Sequence, residues 1–180
     1  MEQCTDAEVA RLLSWEPKFR CQQALKYKHL FGQFACLKSY ELLWLLLKDE
    51  GICKPPLFRV DSNGKPFLKD YPNLFFSISH CKEAISAVID THPVGIDVEY
   101  YRKYSTALLE RTMNKKECDI IFSSPYPSCQ FIQFWTQKEA VLKLRGTGIT
   151  HNLHNVLGGP EHVKTWTHST KPYAYSIATL

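Results

Sequence analysis

The alternation of apolar and polar residues identifies a strand at residues 94–100. Every second position from 94 to 98 is aliphatic, and Gly95, Asp97 and Glu99 occupy the positions between and after them. A period of two is typical of a strand with one buried face, and it directs the two carboxylates to the same side. Gly95 has no Cβ, so it leaves room for a ligand or another backbone to approach the strand closely.

Apolar positions elsewhere predict further helices and strands. Helical spacing predicts helices at residues 6–14, 33–48, 106–113, 115–122 and 129–144. Gly51 and Gly146 end the two longest of these helices. Further strands are predicted at residues 57–60, 74–80, 84–90, 163–167 and 173–179.

Composition and charge narrow the class of protein. The 180 residues can bury a substantial core as one domain or as two small ones, and a net charge of +4 does not by itself indicate nucleic acid. Seven cysteines with no Cys-x-x-Cys pair and no secretory signal favour reduced thiols. The longest apolar run, residues 42–47, is too short to cross a bilayer. We therefore expect a soluble, cytoplasmic protein.

One segment, residues 18–40, contains basic residues and no acidic ones. Its basic residues are Lys18, Arg20, Lys26, Lys28 and Lys38. Such a segment is either a solvated face or a surface for a polyanion, which acidic residues would repel.

Two strand–loop junctions carry further candidate chemistry. Glycine and proline fix the backbone on either side of Lys65, which lies either in a surface turn or in a rigid loop that presents its ammonium group. Ser79 and His80 end a predicted strand, where a hydroxyl, an imidazole and backbone N–H groups can surround a phosphate. No Gly-x-Ser-x-Gly elbow surrounds Ser79, so a nucleophilic serine is not indicated.

Acidic residues on the strand and on the last helix are candidate metal ligands and ion-pair partners. Asp97 and Glu99 offer the oxygen ligands that Mg²⁺ prefers, although an ordinary edge strand would show the same short pattern. Glu139 and Lys143 are four residues apart and share a helix face, where they could also form an ordinary exposed ion pair.

Four of these stretches follow one another in a fixed order: Gly64-Lys65-Pro66, Ser79-His80, Gly95-Ile96-Asp97-Val98-Glu99 and the Trp-x-x-Lys-Glu-x-x-x-Lys run at 135–143. In this order and spacing, residues 18–150 resemble the surfactin-synthetase type of 4′-phosphopantetheinyl transferase. The resemblance implies an α+β fold, a pseudo-dimer of two similar subdomains at 1–101 and 102–180 with the active site in the cleft between them. It also implies an enzyme that uses Mg²⁺ to transfer the 4′-phosphopantetheine arm of coenzyme A to a serine of an apo acyl, peptidyl or aryl carrier protein and releases 3′,5′-ADP.

The resemblance assigns catalytic roles position by position. Asp97, Glu99 and Glu139 match the family's metal-binding carboxylates, and Glu139 is also the candidate base for the attacking serine. Lys138 and Lys143 match its phosphate-contacting lysines. Asp97, Glu139 and Lys143 are therefore the predicted catalytic residues.

The same resemblance assigns the residues that bind the coenzyme. Lys65 and Pro66 match the loop beside the nucleotide, Ser79 and His80 match residues at the coenzyme phosphates, and Arg20 matches a basic residue that contacts the 3′-phosphate. The chain after Gly148 is short for this subfamily.

The chemistry of the residues agrees with this assignment. Attack of a hydroxyl on a pyrophosphate needs a cation across the oxygens, lysines near the developing charge and a carboxylate near the nucleophile. Two alternatives share these parts: a non-catalytic module that binds coenzyme A, and a metal-dependent phosphodiesterase or nuclease. A nuclease should carry an extended basic, aromatic groove, whereas the basic residues here are local. We expect no nucleic-acid or membrane partner, and the pseudo-dimer implies a monomer.

Overall fold

The described part of the chain, residues 4–148 and 153–180, forms six helices and seven strands in a computed structural model. The helices are α1 (Asp6–Trp15), α2 (Lys18–Ala24), α3 (Leu30–Asp49), α4 (Thr106–Thr112), α5 (Lys115–Ser123) and α6 (Pro127–Arg145). The strands are β1 (Phe58–Val60), β2 (Pro66–Leu68), β3 (Phe75–His80), β4 (Ile85–Asp90), β5 (Val94–Tyr100), β6 (His162–Thr167) and β7 (Tyr173–Thr179). Every predicted helix and strand is present, and the mixed α+β class is confirmed. Two short elements, α2 and β2, were not predicted.

Helix α3 organises the N-terminal half because it is apolar around most of its circumference. It packs against α1 and α2 and against the hairpin of β3 and β4. By length and composition alone α3 could cross a membrane, but half of its apolar stretch is buried inside the protein. These contacts make α3 a core helix of the fold.

Antiparallel pairing joins the strands into two hairpins and one three-stranded sheet within the described residues. The hairpins are β1–β2 and β3–β4, and the larger sheet has the order β5-β7-β6. Asp97 of β5 lies opposite Ser176 of β7. The strand that carries the candidate carboxylates is therefore held at the edge of a sheet whose other strands come from the C-terminal half.

Strand β5 contacts both halves of the chain. It pairs with β7, but it also packs against β3 and β4, and the backbone N–H of Ile96 donates to Ser77 Oγ at 3.1 Å. The predicted boundary after residue 101 therefore assigns β5 to one subdomain although its sheet partners lie in the other. Residues 1–3 and 149–152 of the two predicted subdomains lie outside the described residues.

Part of the order of elements repeats in the two halves. Helix α3 is followed, after the small hairpin β1–β2, by the hairpin β3–β4, and α6, of nearly equal length, is followed directly by the hairpin β6–β7. This repetition is what two similar halves would produce. The pseudo-dimer and its cleft stay a prediction.

Gly95 allows α6 to lie directly on β5. A Cβ atom at this position would lie 2.0 Å from the carbonyl oxygen of Ala140 and 2.5 Å from the backbone nitrogen of Leu144. The close approach that the glycine predicted is therefore made by the backbone of α6. This contact sets the distance between the strand carboxylates and the helix side chains.

We expect Gly95→Ala to lower the free energy of unfolding by about 3 kcal/mol, because overpacking forces a rigid helix away from a strand. Gly158→Ala is the matched control, since nothing lies within 4 Å of its added Cβ and only its φ of +99° opposes the change. The control should cost about 1 kcal/mol. Urea denaturation measures both variants, and equal losses would contradict the close-packing explanation.

Candidate active site

Asp97 is the centre of the candidate site. Its side chain is 4% exposed, and its Oδ1 accepts hydrogen bonds from Ser79 Oγ at 2.8 Å and Lys143 Nζ at 2.7 Å. These contacts join β3, β5 and α6 at one point. Its Oδ2 is buried without a hydrogen-bond partner among the described residues, so one carboxylate oxygen remains available to a ligand.

Three carboxyl groups interact across β5 and α6. Burial, followed by the negative charge of Asp97, raises the pKa of Glu99 to about 7. Burial and Asp97 also raise the pKa of Glu139, while the ammonium group of Lys143 opposes this rise. Negative charge is therefore costly at this site, and a cation would relieve the cost.

The three carboxyl groups fit a divalent cation chemically. Asp97 has an unpartnered oxygen, and both glutamates are in surroundings that disfavour their charged forms in the absence of further positive charge. Oxygen donors of this kind suit Mg²⁺. No group of three or more His, Cys, Asp or Glu side chains in residues 4–148 and 153–180 is already arranged around a metal position, so Mg²⁺ stays a prediction.

A groove runs from the carboxylates to the basic segment. A cavity of about 300 Å³ lies beside Lys143 and is lined by Pro66 and Ile78. A second cavity of about 380 Å³ shares Pro66 and Ile78 and reaches Arg20. A third of about 340 Å³ shares Ile78 and Arg20 and reaches His80. The three cavities adjoin one another at these shared lining residues, and we refer to them together as the groove.

The predicted nucleotide residues lie along this groove or at its edge. Pro66 lines two of its cavities. Lys65 donates from Nζ to the carbonyl oxygen of Leu144 at 2.9 Å, at the end of α6, and burial lowers its pKa. Ser79 donates a hydrogen bond to Asp97. Solvent reaches His80, yet desolvation by surrounding atoms and the charge of Lys143 lower its pKa.

Arg20 occupies the far end of the groove. One terminal nitrogen donates to Gln23 Oε1 at 2.7 Å, the other donates to the carbonyl oxygen of Cys36, and the guanidinium lies 5.5 Å from the ring centroid of Tyr40. Of the other basic residues, Lys26 lines the third cavity and Lys28 is exposed. The acid-free segment therefore places an arginine and a lysine at this end.

The phosphate-contacting role assigned to Lys138 is contradicted by the structure. Its side chain is 2% exposed, and its ammonium donates to the carbonyl oxygens of Thr112 and Leu153, both at 2.8 Å, and to Glu117 Oε2 at 2.7 Å. Consecutive residues on an α-helix point about 100° apart, so Lys138 faces α4 and α5 while Glu139 faces β5. All three N–H groups of Lys138 are already used.

Comparisons with known proteins agree with this arrangement. A family model described as the 4′-phosphopantetheinyl transferase superfamily matches residues 93–177. Over 54% of its own length, the chain is 33% identical to 4′-phosphopantetheinyl transferase psf-1 of Bacillus pumilus. Over 68% of its own length, it is 32% identical to 4′-phosphopantetheinyl transferase gsp of Aneurinibacillus migulanus. It is 31% identical to a putative 4′-phosphopantetheinyl transferase of Haemophilus influenzae over 77%. The chain belongs to the 4′-phosphopantetheinyl transferase superfamily.

The family match covers β5, which carries Asp97 and Glu99, and α6, which carries Glu139 and Lys143. It also covers most of β7. The resemblance to the surfactin-synthetase type is confirmed. The matches cover 42%, 50% and 62% of the three relatives, so the chain spans about half the length of the curated transferases it matches. Membership of the family rests on this match and on the similarity to the three relatives.

Three polar residues of the site region were missed by the sequence analysis. Ser77 fixes β3 to β5, Glu117 is the buried partner of Lys138, and Glu16 lies behind Arg20. Asn114 and Glu117 form a capping box at the start of α5, and their spacing could have revealed the role of Glu117. Nothing in the local sequence pattern distinguishes Glu16 from a surface glutamate.

Proposed function

We propose that this chain is an enzyme that transfers the 4′-phosphopantetheine arm of coenzyme A to a serine of an apo carrier protein and releases 3′,5′-ADP. The observation that supports it best is the groove between two separate charged ends. Asp97, Glu139 and Lys143 stand at one end, and Arg20 stands at the other. Coenzyme A likewise carries a pyrophosphate and, at a distance from it, a phosphate on the ribose.

The groove suits the nucleotide part of coenzyme A. Phe76, Ile78 and Pro66 line its middle and offer an apolar surface for a flat base. Arg20 and Lys26 then provide positive charge for a 3′-phosphate. A carrier from fatty-acid, polyketide or nonribosomal-peptide synthesis would present its serine at the opposite end.

The residues at the pyrophosphate end have distinct roles in this proposal. Asp97, Glu99 and Glu139 would hold Mg²⁺, which supplies positive charge to the pyrophosphate oxygens when bound. Lys143, which contacts Asp97 at 2.7 Å, stabilises negative charge that develops on the transferred phosphate. Glu139, whose pKa is raised by burial, accepts the proton of the attacking serine. We also propose that the protein is a cytoplasmic monomer without nucleic-acid or membrane partners.

The direct test is to incubate the protein with Mg²⁺, coenzyme A and a panel of apo carrier proteins. We expect one carrier serine to gain the mass of one phosphopantetheine, with an equal amount of 3′,5′-ADP. Glu139→Gln should still bind coenzyme A but transfer about 10²–10³-fold more slowly, because an amide cannot take the proton. Glu110→Gln, on the exposed surface of α4, should retain the activity.

Two results would replace the proposal. Coenzyme A binding without a mass shift on fatty-acid, polyketide and peptide carriers would identify a binding module. Hydrolysis of labelled DNA that is indifferent to coenzyme A would identify a phosphodiesterase. Mass spectrometry of the carriers and gel analysis of the DNA distinguish the two.

A further inference from the structure

A buried carboxyl group lies behind the arginine end of the groove. Glu16, between α1 and α2, is 6% exposed, and neither of its carboxyl oxygens has a hydrogen-bond partner among the described residues. Arg20 lies four residues further on, and its Nε is also buried without a partner. A buried acid and a half-buried base thus stand within electrostatic reach of each other, each with unused hydrogen-bonding atoms, which is rare in folded proteins.

The other charges around Glu16 are already paired with each other. On α1 and α3, Arg11 and Lys38 form ion pairs with Glu8 and Glu41. No ion pair within residues 4–148 and 153–180 includes Arg20. Among the cations that act on Glu16, Arg20 has the largest effect. The guanidinium of Arg20 therefore carries a positive charge without an ion-pair partner among the described residues, and this charge can act on Glu16 or on a bound anion.

The protonation state of Glu16 changes near neutral pH. Burial raises its pKa to about 8, against the opposing charge of Arg20, and Glu41 adds to the rise. The remaining titratable neighbours are Cys21, Cys36 and Tyr40, and burial raises the pKa of each, that of Tyr40 to about 12. Between pH 7 and 9, Glu16 is therefore the member of this cluster whose charge changes most.

We propose that Glu16 is a positioning residue that sets the anion affinity of Arg20 and so the preference of the groove for a ligand with a ribose 3′-phosphate. When Glu16 is neutral, the full charge of the guanidinium is available to the phosphate. When Glu16 is ionised, it attracts the guanidinium and neutralises part of that charge. The inference rests on the proposed function, because it takes the ligand of Arg20 to be the 3′-phosphate of coenzyme A.

The test measures equilibrium binding and needs no turnover. Calorimetry compares 3′,5′-ADP with AMP, which lacks the 3′-phosphate, from pH 7 to 9 at constant ionic strength. Phosphate monoesters have a second pKa near 6, so both ligands keep an almost constant charge in this range. For the unaltered protein, we expect the ratio of the two affinities to fall about fivefold as the pH rises, which is the size expected for a nearby partly screened charge.

Three variants separate the role of Glu16 from other causes. Glu16→Gln keeps the shape but cannot ionise, so its affinity ratio should be high and independent of pH. Glu41→Gln instead removes a carboxylate that has partners and leaves Glu16 able to ionise. Its ratio should still fall with pH, but at lower pH than in the unaltered protein, because Glu41 helps to raise the pKa of Glu16. Arg20→Ala should give a low ratio at every pH.

Each other result would overturn the inference in a recognisable way. A preference for 3′,5′-ADP that does not change with pH in the unaltered protein removes the role of Glu16 and leaves the proposed function intact. A pH dependence that persists in Glu16→Gln assigns it to another group. Failure to bind either nucleotide removes the anion site and counts against the proposed function itself. If Glu16→Gln does not fold, Glu16→Leu, which cannot ionise either, takes its place, and a ratio that does not change with pH in the unaltered protein still overturns the inference.

Discussion

Asp97→Asn is expected to reduce transfer by about 10³-fold and to leave the protein folded. The asparagine carbonyl can still accept the hydrogen bond of Ser79, and the shape of the buried side chain is kept. What is lost is the negative charge that holds Lys143 at 2.7 Å and the oxygen that has no partner in the protein. Both losses act where the proposed pyrophosphate and Mg²⁺ would bind.

The measurement is kcat/KM for carrier modification over a range of Mg²⁺ concentrations. Asp119→Asn on α5 is the matched control, because it makes the same chemical change at an exposed position. Circular dichroism and thermal unfolding should confirm that both variants are folded. Near-normal turnover of Asp97→Asn at low Mg²⁺ would show that Asp97 neither holds a metal nor orients Lys143.

The strand that carries Asp97 could be predicted because its information is local. Alternation over seven residues specifies both the secondary structure and the face on which the carboxylates lie. Gly95 even predicted the close approach of another backbone, which the structure assigns to α6. The short elements α2 and β2, with seven and three residues, offered too few positions for a period to be detected.

The pairing of β5 could not be predicted in the same way. Its hydrogen-bonded partner β7 begins at Tyr173, far along the chain, and alternation reveals a strand without revealing its neighbour. A boundary drawn after residue 101 follows the change in sequence character, whereas the sheet follows the long-range pairing. The elements could therefore be predicted from local patterns, and the division into halves stays a prediction.

The site shows the same limit at the level of single residues. Glu139 and Lys143 could be placed together because they are four residues apart on one helix. The partner of Lys138 could not be found from that helix, since Glu117 lies on α5 and the other two acceptors are backbone carbonyls. Glu16 and Arg20 likewise required the packing of α1, α2 and α3. Long-range packing decides which lysine is enclosed between helices and which reaches the groove.

Lys138→Met should therefore destabilise the protein strongly, by about 3–5 kcal/mol, because it leaves the buried carboxylate of Glu117 without its cation. The single substitution also removes the donors for Thr112 and Leu153. Chemical denaturation measures the loss. The double variant Lys138→Met/Glu117→Met should recover part of the stability, since removing both charges is far less costly than removing one.

Lys143→Met is the matched control, and it should behave in the opposite way. The side chain of Lys143 is 31% exposed and that of Lys138 is 2% exposed, and Asp97 keeps Ser79 as a donor when Lys143 is lost. Loss of the Lys143 ammonium should therefore cost about 2 kcal/mol of stability, less than loss of the Lys138 ammonium, and most of the transfer activity. Lys138→Met, assayed at a temperature where it remains folded, should bind coenzyme A with unchanged affinity. No loss is expected because a lysine confined between α4, α5 and α6 cannot reach a ligand in the groove. A large loss of coenzyme affinity in folded Lys138→Met would therefore restore the phosphate-contacting role.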